Sequence, residues 1–197
     1  MKRLFDILLA LFGLVVLMPF FILIAVFIVI ESKGGVFYLQ ERIGLNEKPF
    51  KLIKFRTMSV GSDKKGLLTV GDNDSRITKV GYFLRKYKLD EFPQLINVLI
   101  GEMSMIGPRP EVKKYVDLYN VEQKKVLSIK PGITDYASIM YSSESEILAK
   151  SSNPEKTYIE EIMPHKLLLN LAYINNRPSL VGDLKLIIQT IIRIIKK

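Results

Sequence analysis

The chain has 197 residues, of which 48% are hydrophobic, so it can form one domain with its own core plus a membrane attachment. Lys and Arg number 29 against 20 Asp and Glu, and the formal charge of +9 favours an anionic partner such as nucleic acid, phospholipid or a phosphorylated substrate. Cys is absent, which excludes disulfides and thiolate metal sites. Packing and hydrogen bonds must therefore hold the fold.

An apolar segment near the N-terminus predicts membrane contact. Residues 7–30 carry no charge and exceed the ~20 residues that a spanning helix needs, whereas a secretory signal has only ~7 to 15 apolar residues before a cleavage site. Pro19 predicts a kink, and each half then reaches ~18 Å into a ~30 Å core. Basic residues flank both ends and favour the cytoplasmic side. A re-entrant hairpin and a kinked span both fit.

The C-terminal segment has the pattern of an amphipathic helix. Residues 184–197 place six apolar side chains on one face and basic residues on another, which favours a helix in the membrane interface; packing on the protein's own core is the alternative. We therefore divide the chain into a re-entrant membrane helix over 1–31, a globular domain over 32–178 and an interfacial helix over 179–197. The apolar face comprises Leu184, Ile187, Ile188, Ile191, Ile192 and Ile195.

The middle of the chain predicts an α+β, mainly helical domain with one small β-hairpin. Short runs of β-branched, aromatic and alternating residues are separated by Gly44, Asn46 and Pro49, and a polar stretch without periodicity follows as a loop. Four helical segments come after it, the last interrupted at Pro164. The predicted ranges are strands 36–42 and 50–56, loop 60–76, and helices 77–87, 93–100, 111–127 and 154–175.

Two adjacent carboxylates, Asp90 and Glu91, stand immediately before a helix that contains Pro93 in its first turn. Neighbouring side chains diverge inside a helix but can converge where the backbone turns at a helix start. The helix N-terminus favours anions, and Arg85 could neutralise a substrate phosphate there. An ordinary helix cap with acidic first-turn residues is the simpler alternative.

Three further segments could bind phosphate or nucleotide. Pro108 and Arg109 lie in a rigid Gly-Pro-Arg-Pro loop that can present one guanidinium, and Lys54 and Arg56 close the predicted hairpin. The turn over 130–134 can bring backbone amides close to a ligand. Each could instead be an ordinary turn or a basic edge facing lipid headgroups. The residues concerned in the last turn are Gly132, Ile133 and Thr134.

Two other features are weaker candidates. Asp72-Asn73-Asp74 has an acid-x-acid spacing that can hold a divalent metal, but it is a three-residue match in a polar loop. His165 is the only histidine, and without a second imidazole we expect it to be structural or exposed.

In combination, order and spacing, these segments resemble the bacterial sugar transferase family, the monotopic phosphoglycosyl transferases. The resemblance covers most of the chain, from Lys2 to about Thr134. Met18 stands where the family often has Ser, and residues 135–138 depart from the usual family pattern, so contacts there cannot be carried over. The shared elements are Lys2-Arg3, Phe5-Asp6, Pro19, Lys54-Phe55-Arg56-Thr57-Met58, Leu89-Asp90-Glu91, Asn97-Val98-Leu99, Gly101-Glu102-Met103-Ser104, Gly107-Pro108-Arg109-Pro110 and Lys130-Pro131-Gly132-Ile133-Thr134.

The resemblance implies a re-entrant helix broken at Pro19 and a globular part on the cytoplasmic face of the bacterial inner membrane. It implies a Mg²⁺-dependent enzyme that moves a sugar 1-phosphate from a UDP-sugar to polyprenyl (undecaprenyl) phosphate and releases UMP. Asp90 would form the covalent phosphosugar intermediate, and Asp90 and Glu91 would bind the metal. Arg85 and Arg109 would hold phosphate oxygens.

Two alternatives from other classes stay open. A metal-dependent glycosyltransferase would use Asp72 and Asp74 and release UDP, although only about 40 residues precede that motif after the apolar run, too few for the strands and helices such folds need. A basic membrane adaptor would need no catalytic residue. Nucleic acid is not expected, because no aromatic and basic stacking platform is present. The sugar, the glycan pathway and the oligomeric state, a homodimer included, are not determined by the residues.

Overall fold

The computed structural model describes residues 1–62, 74–176 and 179–195. The fold is mainly helical with two small two-stranded sheets, which confirms the predicted α+β class. The helices are α1 (Lys2–Glu31), α2 (Lys79–Lys86), α3 (Gln94–Ile100), α4 (Lys113–Val116), α5 (Tyr136–Met140), α6 (Glu144–Ala149), α7 (Pro154–Thr157), α8 (Met163–Asn175) and α9 (Leu180–Ile195). The strands are β1 (Phe37–Ile43), β2 (Pro49–Phe55), β3 (Ser104–Ile106) and β4 (Gly132–Thr134).

One face of helix α1 packs on the globular domain and the other is exposed. Its inner face, with Asp6, Ala10 and Ile28 buried, lies on the globular domain, and Gly13 allows Leu95 to lie 3.0 Å from the place where a Cβ would stand. The 3 to 4 residue spacing of these positions is that of one helical face. The outer face is apolar and exposed, and α1 is long and apolar enough to cross a membrane. The exposed residues include Leu8, Phe12, Val16, Phe20, Leu23 and Phe27.

Both ends of α1 are held on the globular domain. Near the N-terminus, Asp6 accepts hydrogen bonds from Ser104 Oγ at 2.9 Å and from the Met105 amide at 3.0 Å. At the C-terminus, Arg56 Nη2 donates to the Ser32 carbonyl at 2.7 Å, and the Glu31 carboxylate accepts from the first amides of α2. Both ends of this 30-residue helix, which is ~45 Å long, therefore contact the same domain.

Pro19 lies inside α1, which is assigned as one helix on both sides of it. The membrane hairpin with a break at this residue, and the division of the chain at residues 31 and 178, stay predictions. The residues that flank Pro19 are exposed.

The predicted β-hairpin is confirmed. Strands β1 and β2 pair antiparallel with Leu39 opposite Ile53, and the turn between them contains Asn46 and Glu47 at positive φ, 54° and 60°. Asn97 on α3 fixes the hairpin, because its side chain accepts from the Ile53 amide at 3.0 Å and donates to the Lys51 carbonyl at 2.8 Å. The hairpin and α3 therefore form one frame next to the carboxylate pair.

The second sheet, β3 and β4, is parallel and was not predicted. A Cβ on Gly132 would lie 2.0 Å from the Gly107 amide nitrogen, so only glycine permits this approach of two backbones. The Gly132 amide donates to the Pro108 carbonyl at 3.0 Å. This close packing fixes the loop that carries Arg109.

The predicted helix over 111–127 is wrong. The structure has the short helix α4 and a separate 3₁₀ segment, Gln123–Ser128. Between them, the Asn120 and Gln123 side chains each accept from the other residue's amide, at 2.8 and 2.9 Å, and this local turn replaces the helical ladder. The interruption predicted at Pro164 lies earlier, as a π-helical turn over Tyr158–Ile162 between α7 and α8, and Pro164 itself is in the first turn of α8. Most of the predicted loop over 60–76 lies outside the described residues.

Helix α9 is amphipathic, as expected. Asp183 and Leu186 are buried, and Lys2 Nζ lies 3.1 Å from Asp183 Oδ2, which ties the first and last helices together. Ile187, predicted on the apolar stripe, instead packs against the core beside Leu186, whereas most other apolar side chains of α9 are exposed. The place of α9 in a membrane interface stays a prediction. The exposed set is Val181, Leu184, Ile188, Ile191 and Ile192.

Candidate active site

A groove of about 1170 Å³ runs between α1, the hairpin, the Asp90 turn, the Arg109 loop and α9. Apolar side chains of α1 and α9 line it, Leu9, Leu17 and Ile191 among them. The rest of its lining mixes apolar side chains such as Phe55, Phe92 and Ile133 with charged ones. A groove of this size, apolar with a few convergent polar groups, is typical of a small-molecule site.

The two adjacent carboxylates both line this groove. They lie on a single 3₁₀ turn, Leu89–Glu91, which follows Lys88 in the left-handed region at φ 56°. Pro93 comes immediately before α3, which begins at Gln94. The irregular turn, and not a regular helix, brings neighbouring side chains to one surface.

Glu91 is fully engaged by cations. Arg109 grips it with both terminal nitrogens, Nη1 at 2.9 Å from Oε2 and Nη2 on Oε1, and Lys54 Nζ lies 3.5 Å from Oε1. Burial alone would raise the pKa of Glu91, but Arg109 and Lys54 outweigh it and hold that pKa well below its ordinary value. Burial lowers the pKa of Lys54 to about 8, with Glu91 opposing the shift.

Asp90 differs from its neighbour. It is 7% exposed, and its Oδ1 atom has no hydrogen-bond partner within the described part of the chain. Burial raises the pKa of Asp90, the charge of Glu91 adds to this, and Lys54 and Arg85 oppose it. Of the two adjacent carboxylates, Glu91 has both oxygens bound by cations, and Asp90 has one oxygen without a partner in the described structure.

Asp135 positions the Arg109 loop. Its Oδ2 atom accepts from the Arg109 amide at 3.2 Å, and its Oδ1 atom accepts from the Ser138 amide at 2.6 Å as the N-cap of α5. Glu91 raises the pKa of the Arg109 guanidinium, with burial opposing and with Asp135 and Glu144 adding to the rise. This role was not predicted from the sequence; the preference for Asp at a helix N-cap is the signal that could have indicated a structural role for Asp135.

We define the cation–carboxylate cluster as Lys54, Arg85, Asp90, Glu91 and Arg109. All five line the groove, and Arg85 acts electrostatically on Asp90. These predicted residues are therefore brought together, and their roles stay predictions.

The other predicted binding residues lie differently. Ile133 and Thr134 line the groove, and Thr134 Oγ1 is 2.8 Å from Thr190 Oγ1 of α9. The Gly132 amide and the Pro108 carbonyl are hydrogen-bonded to each other. Arg56 lines the groove but directs both terminal nitrogens to the end of α1, so the structure gives its guanidinium an anchoring contact.

The acid-x-acid motif is only partly described, since Asp72 and Asn73 lie outside the described residues. Asp74 is bound by the Arg76 side chain, with Nε at 2.9 Å from Oδ1. His165 is exposed and its Nδ1 lies 2.7 Å from Tyr141 Oη, as expected for a structural histidine.

A second set of polar residues lines the groove beyond Arg109, and the sequence analysis missed it. We define it as the side-chain wall: Arg42, Glu111, Glu144, Tyr158 and Lys166. Glu111 accepts from Arg42 Nη1 at 2.9 Å and from the Tyr158 hydroxyl, and Lys166 Nζ lies 2.8 Å from Glu144 Oε2. The pairs join residues 22 to 69 positions apart, so no local motif indicates them.

Asp90 and Glu91 suit a magnesium ion whose coordination shell is completed by the substrate. No group of three or more His, Cys, Asp or Glu suited to a metal occurs in ranges 1–62, 74–176 and 179–195. Mg²⁺ commonly uses one or two carboxylates, substrate phosphates and water, and the unpaired Asp90 Oδ1 is an oxygen ligand of this kind. Glu91 binds Arg109 through both oxygens, so its predicted part in the metal site would depend on a lone pair beside that contact.

Comparison with known proteins identifies the family. The family model for bacterial sugar transferases matches residues 1–197. A UDP-glucose:undecaprenyl-phosphate glucose-1-phosphate transferase of Klebsiella pneumoniae is 37% identical over 98% of this chain, but the chain covers 39% of that protein. A UDP-N-acetylgalactosamine-undecaprenyl-phosphate N-acetylgalactosaminephosphotransferase of Aeromonas hydrophila is 39% identical over 71% of this chain and 34% of its own length.

The exopolysaccharide production protein ExoY of Rhizobium meliloti is 39% identical over 68% of this chain and 66% of its own length. The chain thus spans well under half of the first two relatives and about two thirds of the third. The family match covers both the Asp90 turn and the side-chain wall. The chain belongs to the bacterial sugar transferase family.

Proposed function

We propose that this protein transfers a sugar 1-phosphate from a UDP-sugar to undecaprenyl phosphate, with release of UMP. The observation that carries the proposal is the buried Asp90 Oδ1, which is unpaired in the described structure and lies in a groove beside Lys54, Arg85 and Arg109. The names of the relatives, which include UDP-sugar and undecaprenyl phosphate, support the same substrates.

In the first step, an Asp90 carboxylate oxygen attacks the phosphorus that bears the sugar. A new P–O bond forms to Asp90, the bond to the UMP oxygen breaks, and UMP leaves with the electron pair. Asp90 suits this role because Glu91 is saturated by Arg109 and Lys54. The surrounding cations reduce the repulsion between the carboxylate and the diphosphate.

In the second step, a phosphate oxygen of the lipid acceptor attacks the same phosphorus and the Asp90 carboxylate leaves. The product is a lipid diphosphate sugar, and the enzyme regains its free Asp90. A lipid acceptor fits the groove because apolar side chains of α1 and α9, including Leu9, Leu17 and Ile191, line it, and both helices also carry exposed apolar faces. The acceptor can thus keep its chain in the bilayer.

Asp90 and Glu91 would hold the magnesium ion that the family resemblance implies. Such an ion neutralises charge on the diphosphate when bound. Removal of divalent cations with EDTA should abolish UMP release, and added Mg²⁺ should restore it. Full activity in EDTA would contradict this part of the proposal.

We also propose that α1 inserts as a re-entrant hairpin bent at Pro19, with the domain on the cytoplasmic face of the inner membrane. Anchoring contacts on both sides of Pro19, at Asp6 and at Ser32, support an insertion that returns to the side it entered. The apolar stripe of α9 would lie in the same interface. Cysteines placed at residues 1 and 33 should both react with a reagent added on the cytoplasmic side; opposite exposure would indicate a span.

The nucleotide released distinguishes the enzyme classes. Detergent-solubilised protein is incubated with Mg²⁺, undecaprenyl phosphate and a panel of UDP-sugars. We expect the wild-type protein to release UMP and Asp90→Asn to release none. The control is Asp117→Asn, which should still release UMP because Asp117 is an exposed residue that pairs with Lys113. UDP would favour a glycosyltransferase that uses Asp72 and Asp74, and no nucleotide across the panel would favour a membrane adaptor.

A further inference from the structure

Beyond the phosphate chemistry, the groove has a second recognition surface. The side-chain wall begins where the cation–carboxylate cluster ends, since Glu144 acts electrostatically on Arg109 and Arg42 acts on Lys54. A group attached directly to a phosphate bound at Arg109 would therefore lie against this wall. In a UDP-sugar, one phosphate carries the sugar and the other carries the uridine, so the group against the wall is one of these two.

The charge of the wall does not suit phosphate. Its two cations, Arg42 and Lys166, are balanced by the carboxylates of Glu111 and Glu144. The cluster has three cations against two carboxylates. Balanced donors and acceptors suit a neutral, hydroxyl-rich group, because each hydroxyl can both donate to a carboxylate and accept from a cation.

The aromatic ring in the wall is not placed for stacking a base. Tyr158 packs on Tyr115 with ring centroids 4.9 Å apart, and Lys166 Nζ lies 5.6 Å from the Tyr158 centroid. Tyr158 is also 3% exposed, and its hydroxyl binds Glu111. A π-helical turn, a form frequent at functional sites, begins at this residue and fixes it.

Two polar atoms, one in the wall and one in another residue that lines the groove, lack hydrogen-bond partners in the described structure. Arg42 Nε and Ser138 Oγ are buried, belong to residues that line the groove, and have no hydrogen-bond partner within the described part of the chain. The Lys166 and Glu144 side chains are only 13% and 28% exposed, so their pair is held in place before a ligand arrives. Buried polar atoms without partners are costly and indicate a missing partner.

We propose that the side-chain wall binds the sugar ring of the donor, and that the Glu144–Lys166 pair selects the sugar by the configuration of one hydroxyl. This inference rests on the proposed function for its donor class. A site that hydrogen-bonds a specific hydroxyl discriminates strongly, because the wrong sugar leaves its buried polar groups unpaired. The pair is therefore a determinant of specificity and not a participant in phosphoryl transfer.

Binding measured without turnover tests this proposal. The full-length Asp90→Asn variant is titrated calorimetrically with UDP-glucose, UDP-galactose, their N-acetylated counterparts and UMP. The same titrations are then made with double variants that also carry Glu144→Gln or Lys166→Met. We expect the tightest-bound sugar nucleotide to weaken about tenfold or more, its epimer to change less than about threefold, and UMP to be unchanged. Lys166→Arg should recover part of the preference.

The matched control is Glu155→Gln, which removes an ion pair to Lys114 that is exposed and outside the groove. It should leave every titration unchanged. The proposal would be overturned if the substitutions weakened the binding of all four UDP-sugars equally or weakened UMP binding in parallel. It would also be overturned if no UDP-sugar bound to the Asp90→Asn variant. If the binding preference shifts as expected but the wild-type protein releases UDP, the sugar site stands and the proposed reaction fails.

Discussion

The cation–carboxylate cluster and the side-chain wall line one groove but are built differently. Three members of the cluster are positioned largely by the main chain: Asp90 and Glu91 by a 3₁₀ turn after the left-handed Lys88, and Arg109 by the packing of Gly107 on Gly132, which Asp135 supports. The wall consists of side chains on separate elements that bind one another. This contrast fits the roles proposed above, in which the cluster acts on the phosphates and the wall binds the sugar, which differs in the names of the relatives.

Among variants that keep Asp90, the largest effect should come from removing Arg109, the cation that binds both oxygens of Glu91. Arg109→Gln leaves a buried carboxylate without its bidentate partner; since 30% of the Arg109 side chain is exposed, we expect a loss of about 2–3 kcal/mol, below the ~3–5 kcal/mol of a fully buried pair. The rate of UMP release should fall by about 10² to 10³ because a charge at the phosphate is lost. Chemical denaturation and initial rates measure the two effects.

The control for Arg109→Gln is Lys113→Gln, which removes an exposed pair and should cost less than about 0.5 kcal/mol. Unchanged turnover in Arg109→Gln would show that the cluster does not act on phosphate.

The next effect tests whether the main chain positions Arg109. In Gly132→Ala, the added Cβ meets the Gly107 amide nitrogen at 2.0 Å, so the two backbones must separate. We expect about 1–3 kcal/mol of destabilisation and about a 10²-fold loss of rate from the displaced loop. Gly182→Ala on α9, where the nearest atom is Ser179 Oγ at 3.6 Å, should be neutral or slightly stabilising. Equal thermal midpoints for the two variants would contradict this view.

The cluster was predictable from sequence and the wall was not, for a physical reason. Asp90, Glu91 and Arg109 stand in short segments whose Pro and Gly residues fix the backbone, so a local pattern indicates their position. Glu111 and Tyr158, or Glu144 and Lys166, meet only through tertiary packing. Local rules cannot specify such pairs.

The same limit applies to the fold. The β-hairpin was predicted because Gly44, Asn46 and Pro49 mark its turn. The helix predicted over 111–127 failed because the reciprocal bonds of Asn120 and Gln123 compete with the helical ladder. The parallel pair β3 and β4 depends on a contact between Gly107 and Gly132 that only tertiary structure brings about.

Stability measured over a series of pH values tests whether the ion pairs of Glu91 hold its carboxylate ionised. The folded-state pKa of Glu91 lies well below its ordinary value of 4.5, so its ion pairs stabilise the fold above that pH and are lost as the pH falls below it. The stability advantage of the wild type over Glu91→Gln should be constant from about pH 7 to about pH 6 and shrink progressively below about pH 4.5. An advantage that grows on acidification would mean that Glu91 is not held ionised.

The smallest effect is expected in the wall. Tyr158→Phe removes the hydroxyl that donates to Glu111 while the ring stays packed on Tyr115, so about 1–2 kcal/mol of stability should be lost. The rate of UMP release should change less than about tenfold, and mainly through KM. Tyr136→Phe, an exposed residue outside the groove, is the control. A loss as large as that of Arg109→Gln would remove the distinction between wall and cluster.

The covalent intermediate gives the most direct test of the central claim. The wild-type protein is mixed with Mg²⁺ and its preferred UDP-sugar without lipid acceptor, digested, and examined by mass spectrometry. We predict a sugar-phosphate adduct on the peptide that contains Asp90, formed together with UMP, absent in Asp90→Asn and lost when undecaprenyl phosphate is added. Release of UDP without an adduct, or an adduct on Glu91, would contradict the assignment of Asp90 as the nucleophile.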